Sequence, residues 1–153
     1  MWEIKRDLFP ALGDEFIYFA SPEAAGSSTR GLTLVNRLRN PARGQTAIEN
    51  IENFVNLLIL QRDPESKTQF KTRKLPAPFD AVEAHEMALN QITPCWAVVD
   101  GTFYFSVSEE ALIGALKQAK AKDSLLDNAT FQQLRTRIGQ KTFASFDFVD
   151  IPK

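Results

Sequence analysis

Hydrophobic and polar positions change period most clearly between Cys95 and Leu116. Two short apolar runs, Cys95-Trp96-Ala97-Val98-Val99 and Thr102-Phe103-Tyr104-Phe105-Ser106-Val107, flank Asp100-Gly101. Both residues of that dipeptide tolerate positive φ, so the pattern predicts a hairpin closed by a two-residue turn. Ser108 then stands at the N-cap position of a helix, and Glu109 and Glu110 bring negative charge to the helix's positive end. Lys117, Lys120 and Lys122 lie toward its other end, where cations are favoured.

The same reading extends along the chain. Ile4, Leu8, Phe9 and Leu12 recur at helical spacing within Trp2–Leu12, and Gly13 follows as a stop. Phe16–Ala20 reads as an aromatic strand and Ser21–Arg30 as a loop. Gly31–Leu38 alternates, with Leu32, Leu34 and Leu38 on one face and Thr33, Val35 and Arg37 on the other. Asn40-Pro41 starts a helix with proline at its first position. Ala47, Ile48, Ile51, Val55, Leu58 and Ile59 form its apolar stripe, while Gln45, Glu49, Glu52, Asn53 and Asn56 are read as its polar side. It ends near Gln61, before Pro64.

Thr68–Leu75 predicts a basic strand at a sheet edge, where lysines discourage unwanted pairing. Phe79–Glu86 suits either an extended segment or a short helix. Asp127 predicts the cap of a last helix, with Leu126 and Phe131 as a hydrophobic staple and Gly139 as its stop. Thr142–Val149 predicts a closing aromatic strand.

Strands outnumber helical crossovers in this order, and hairpins dominate. The expectation is one α+β domain over residues 1–153, a mostly antiparallel sheet with helices packed on one face. Two strands followed by a long helix occur twice, at Phe16–Gln61 and Cys95–Ala121. Such an echo fits a ferredoxin-like or related two-fold repeat.

Composition narrows the function classes more than it selects one. The 153 residues are 44% hydrophobic and 24% charged, ordinary values for a globular domain, and the net charge of −1 gives no global pull toward nucleic acid or acidic membranes. The single cysteine excludes an internal disulfide. The most apolar helical run, Phe54–Leu60, is far shorter than the about 20 residues a membrane-spanning helix needs. Met1–Asp7 lacks the basic-then-apolar build of a signal peptide.

Four runs carry a resemblance: Asp7–Phe16, Trp96–Thr102, Ser124–Asn128 and Ser145–Asp150. They are similar to segments of large, often exported bacterial proteins that form a family of unknown function. The resemblance implies one domain of a longer, extracytoplasmic protein. It lends no catalytic residue and no ligand, and the chain's short length and N-terminus leave a cytoplasmic relative open.

Candidate chemistry is sparse. His85, the only histidine, lies between Glu83-Ala84 and Glu86, without a second imidazole to complete a metal or acid–base set. Cys95 opens an apolar strand, where a free thiol behaves as a small hydrophobe rather than a nucleophile for His85. Phe146-Asp147-Phe148-Val149 matches the aromatic-x-aromatic-Val core of an RNA-binding strand, but Ala144-Ser145 replaces the basic-glycine pair and Asp147 opposes phosphate. Basic residues cluster at Arg30, Arg37, Arg39 and Arg43, and again at Arg62, Lys67, Lys71, Arg73 and Lys74. Arg37, Arg39, Lys71 and Arg73 are therefore the candidate anion- or partner-binding residues. The expected function is a noncatalytic structural or interaction domain needing no cofactor or metal. Its expected partner is a protein or the remainder of a larger chain, with no specific nucleic acid. The alternative is a small-ligand or polyanion-binding module built on the basic edge.

Overall fold

The computed structural model describes residues 4–20, 31–89, 92–121 and 129–138. The chain divides into two compact units, Met1–Leu116 and Lys117–Lys153. The first holds a six-stranded antiparallel sheet formed by β1 (Phe16–Ala20), β2 (Leu32–Arg37), β3 (Lys71–Lys74), β4 (Glu83–Glu86), β5 (Cys95–Val99) and β6 (Thr102–Ser106). Their order across the sheet is β1-β2-β6-β5-β4-β3, so among the described residues β1 and β3 are its edges. The described residues also hold four helices: α1 (Ile4–Asp7), α2 (Pro41–Arg62) and α3 (Glu109–Ala121), the last running past the first unit's boundary at Leu116, and α4 (Ala129–Ile138) in the second unit. The α+β class and the antiparallel sheet are those the pattern predicts.

Local chemistry accounts for most element boundaries. Asp100 and Gly101 both take positive φ, 50° and 75°, and join β5 to β6 in register Val99↔Thr102. Asn40 accepts a hydrogen bond from the Arg43 N–H at 3.1 Å and Pro41 follows it, so α2 begins where predicted. Ser108 caps α3 by accepting from the Ala111 N–H at 3.2 Å. The predicted Trp2–Leu12 helix is instead a single turn, α1, followed by a 3₁₀ turn at Phe9–Ala11. Pro10 has no N–H and disfavours helical backbone at Phe9, which breaks the element.

Two further boundaries depend on tertiary contacts. The basic strand is shorter than the predicted Thr68–Leu75, because Asn56 of α2 engages the backbone just ahead of it. The Phe70 N–H donates to Asn56 Oδ1 at 2.8 Å, and Asn56 Nδ2 donates to the Phe70 carbonyl at 3.3 Å. The ambiguous Phe79–Glu86 segment ends in a strand, β4, paired with both β3 and β5. The predicted Ser21–Arg30 loop, the Asp127 cap with Leu126, the Gly139 stop and the Thr142–Val149 strand lie outside the described residues.

The pairing register assigns each side chain to a face, since neighbours along a strand point to opposite sides. One face presents Ala84, Cys95, Ala97 and Tyr104, which pack with Leu112, Ala115 and Leu116 of α3 and with Leu75 and Phe79. The other presents His85 and Trp96, which meet Glu52 of α2. The structure thus places α2 and α3 on opposite faces, where the pattern placed the helices on one. α2 leaves β2, at one side of the sheet, and must cross to β3 at the far edge. It makes that crossing over the face that α3 does not use.

Both faces of β2 are covered in part, so it buries residues on each: Thr33 on one and Asn36 on the other. Thr33 is fully buried on the α3 face, hydrogen-bonded through its hydroxyl to Ser106 at 2.8 Å, while Leu32 is exposed on the other. A pair of hydroxyls that satisfy each other can be buried at little cost.

Candidate functional site

The most organised polar cluster is one that the sequence pattern hides. Glu52 was read as part of the polar side of α2, yet it is buried. Its Oε2 lies 2.8 Å from Nδ1 of His85 and its Oε1 accepts from the indole N–H of Trp96 at 2.5 Å. His85 and Trp96 face each other across β4 and β5, and their rings stack with centroids 3.9 Å apart and planes 12° from parallel. Trp96 also touches Phe103, in a tilted arrangement at 5.9 Å. The Thr72 hydroxyl sits 3.5 Å from the same His85 nitrogen. Both carboxylate oxygens are therefore used, and one helix is tied to two strands through them.

The signal for Glu52 lies in its position on the helix. It stands four residues after Ile48 and three before Val55, inside the apolar stripe rather than beside it. An acid at such a position requires buried donors, and the chain's lone histidine and Trp96 supply them. A cleft of about 410 Å³ adjoins the cluster, bounded by Gln45, Lys74, Glu83, His85, Trp96 and Asp100 among others.

A carboxylate–imidazole pair is the orienting half of an acid–base catalyst. The nucleophile considered from sequence, Cys95, does not join it. Cys95 pairs with Glu86 in the register while His85 pairs with Trp96, so thiol and imidazole project from opposite faces of the sheet. Among the described residues, no group of three or more His, Cys, Asp or Glu side chains is placed to hold a metal ion. No helix among them is long and apolar enough to cross a membrane.

Cys95 is 1% exposed, and burial, reinforced by the negative charges of Glu86 and Glu109, pushes its thiol up to about 12. In the unfolded chain a thiol titrates near ~8.5. The raised folded value means that the stability contributed by the protonated thiol is complete below pH ~8.5 and is lost as pH rises toward 12. The expected loss is up to about 1.4 kcal/mol for each pH unit across that window. Cys95→Ala should flatten this part of a denaturation-versus-pH profile, and native Cys95 should react with a thiol reagent at pH 8 only as fast as the protein opens. Immediate labelling of the folded protein would show the thiol to be accessible and ionisable.

The four basic candidates do not converge. Arg37 and Arg39 lie at the end of β2 and just beyond it, whereas Lys71 and Arg73 are on β3. Four strand spacings separate β2 from β3, about 19 Å. Arg39 is paired with Asp14. Arg73 donates to Glu109, which holds its guanidinium above its ordinary pKa, and to Glu86 at 2.6 Å. That arginine links β3 and β4 to the start of α3. Arg37 and Lys71 are exposed.

Apolar side chains supply a third feature. Phe54, Leu57 and Leu58 of α2 are about half exposed, and so are Phe16, Ile17 and Tyr18 of β1. No family model, curated protein or solved structure matches the chain.

Proposed function

We propose that this chain is a noncatalytic interaction domain of a larger bacterial protein, and that it docks against apolar protein surface. The observation that supports this reading is the exposed strip on α2. Phe54, Leu57 and Leu58 stand at i, i+3 and i+4, so they share one side of the helix, and they are 54%, 52% and 48% exposed. Single exposed leucines are common on any surface. Three large apolar groups on adjacent turns form the anchor pattern by which a helix engages a partner's groove.

Further apolar side chains are exposed on the sheet. Glu52 and Asn56 turn toward β4, β5 and residue 70. Phe54 and Leu58 lie on the other side of the helix, away from those contacts, and Phe16, Tyr18 and Leu32 are exposed on the sheet face that α2 covers. The resemblance to exported bacterial proteins supports the larger chain and the extracytoplasmic setting.

The test is a photo-crosslinking residue at Leu57 in the producing cell. A discrete adduct, identified by mass spectrometry and lost in a Phe54→Asp/Leu58→Asp variant of unchanged thermal stability, is the expected result. No adduct, together with wild-type behaviour of the double variant, would sink the reading.

A further inference from the structure

We propose that the cleft beside His85 binds an uncharged, polyhydroxylated ligand of monosaccharide size. The inference goes beyond the docking reading and does not depend on it, since Phe54 and Leu58 lie on the other side of α2 from Glu52.

One ring nitrogen carries the argument. Glu52 and Thr72 both approach His85 at Nδ1, and the ring stacks on Trp96. Nε2 has no hydrogen-bond partner among the described residues, although His85 is only 8% exposed. Buried polar atoms are nearly always hydrogen-bonded, so this one calls for a partner from outside the chain. As a carboxylate Glu52 can only accept, so Nδ1 carries the hydrogen and Nε2 of the neutral ring is an acceptor. His85 borders the cleft of about 410 Å³. That volume falls in the range of small-molecule sites, roughly 300–1,000 Å³.

The other polar groups around the cleft select the ligand. Lys74 lies opposite Glu83 in the β3–β4 register, on the same face as His85. Gln45 stands seven residues before Glu52, two turns away on the same side of α2. Lys74 donates, Glu83 and Asp100 accept, and the Gln45 amide does both. A hydroxyl meets all of these and His85 Nε2 as well, because one atom both donates and accepts. Charge disfavours an ionic ligand. An anion would face Glu83 and Asp100, while a cation would face Lys74. Val98 and Val99 add an apolar wall, which suits the C–H face of a sugar or cyclitol ring.

His85 is the only histidine, so its ring is a unique NMR reporter in the full chain. At a pH where the spectrum shows a neutral imidazole, the nitrogen resonances should place the hydrogen on Nδ1 and leave Nε2 bare. The protein is then titrated with glucose, galactose, mannose and myo-inositol. At least one should move the Nε2 resonance saturably, with a millimolar Kd, in the direction of an accepted hydrogen bond. Methylammonium and acetate should leave it in place. Gln45→Ala combined with Glu83→Ala changes two exposed positions and should weaken binding by roughly tenfold or more. Unchanged His85 resonances in the ligand-free double variant show that it folds. A hydrogen on Nε2, no response to any of the four compounds, a response to methylammonium or acetate in their place, or unchanged affinity in the double variant would each overturn the proposal. The Leu57 adduct is read separately, so the docking reading stands or falls without this result.

Discussion

Replacing Glu52 with Ala should lower the unfolding free energy by on the order of 3–5 kcal/mol, read as a shift in the urea midpoint. The carboxylate accepts from the Trp96 N–H and holds His85 Nδ1, and all three residues are buried. Removing it leaves two polar groups without their partner, each costing about 1–3 kcal/mol, and opens space beneath α2. Glu52→Gln should fall between wild type and alanine. Its amide oxygen still accepts the Trp96 N–H, but its NH₂ can donate to His85 Nδ1 only when the imidazole carries its hydrogen on Nε2. His85→Ala combined with Glu52→Ala should cost less than the sum of the single changes, since the two residues share one contact. A loss under about 1 kcal/mol for Glu52→Ala would mean that water already satisfies the cluster.

Gly13→Ala should be nearly as damaging for a different reason. A Cβ at this position would be driven into the carbonyl oxygen of Arg37. The segment cannot easily withdraw. The Gly13 N–H donates to Asn36 Oδ1 at 2.9 Å, and Asn36 Nδ2 donates to the carbonyls of Gly13 at 3.2 Å and Glu15 at 2.8 Å. Asn36 is 1% exposed, so separating the two segments strands a buried amide. The expected cost is about 2–4 kcal/mol, or a drop of roughly 5–12 °C in Tm for a chain of this size. Gly114→Ala is the matching control. It lies inside α3 with nothing within 4 Å of a new Cβ, and should stabilise by about 0.5–1 kcal/mol. If Gly13→Ala matched wild type in Tm, residue 13 would have room to move away from β2.

Glu52 and Gly13 both act through contacts between distant segments, which leave little trace in the local pattern. Gly13 was read as a helix stop, a local role. Its decisive neighbour, Asn36, is 23 residues away and looks like any polar residue on an alternating strand. Glu52 was assigned to the polar side of α2 because an acid is expected in water unless a buried donor awaits it. Those donors, His85 and Trp96, come from strands 33 and 44 residues further on.

Features made within a few residues were readable. The Asp100-Gly101 turn, the Asn40-Pro41 start of α2 and the Ser108 cap of α3 each depend on backbone geometry or on a side chain reaching three residues ahead. The basic character of β3 likewise pointed to an edge. Such interactions have the same energy whatever the rest of the chain does, so the residues themselves determined them. The tertiary structure alone decided which faces α2 and α3 cover, and with them the burial of Thr33 and the exposure of Leu32. It also decided that Arg73 is engaged by Glu86 and Glu109, and that Cys95 and His85 project from opposite sides of one sheet. Strand pairing sets these relations, and pairing is chosen by the summed burial of all six strands rather than by any one segment.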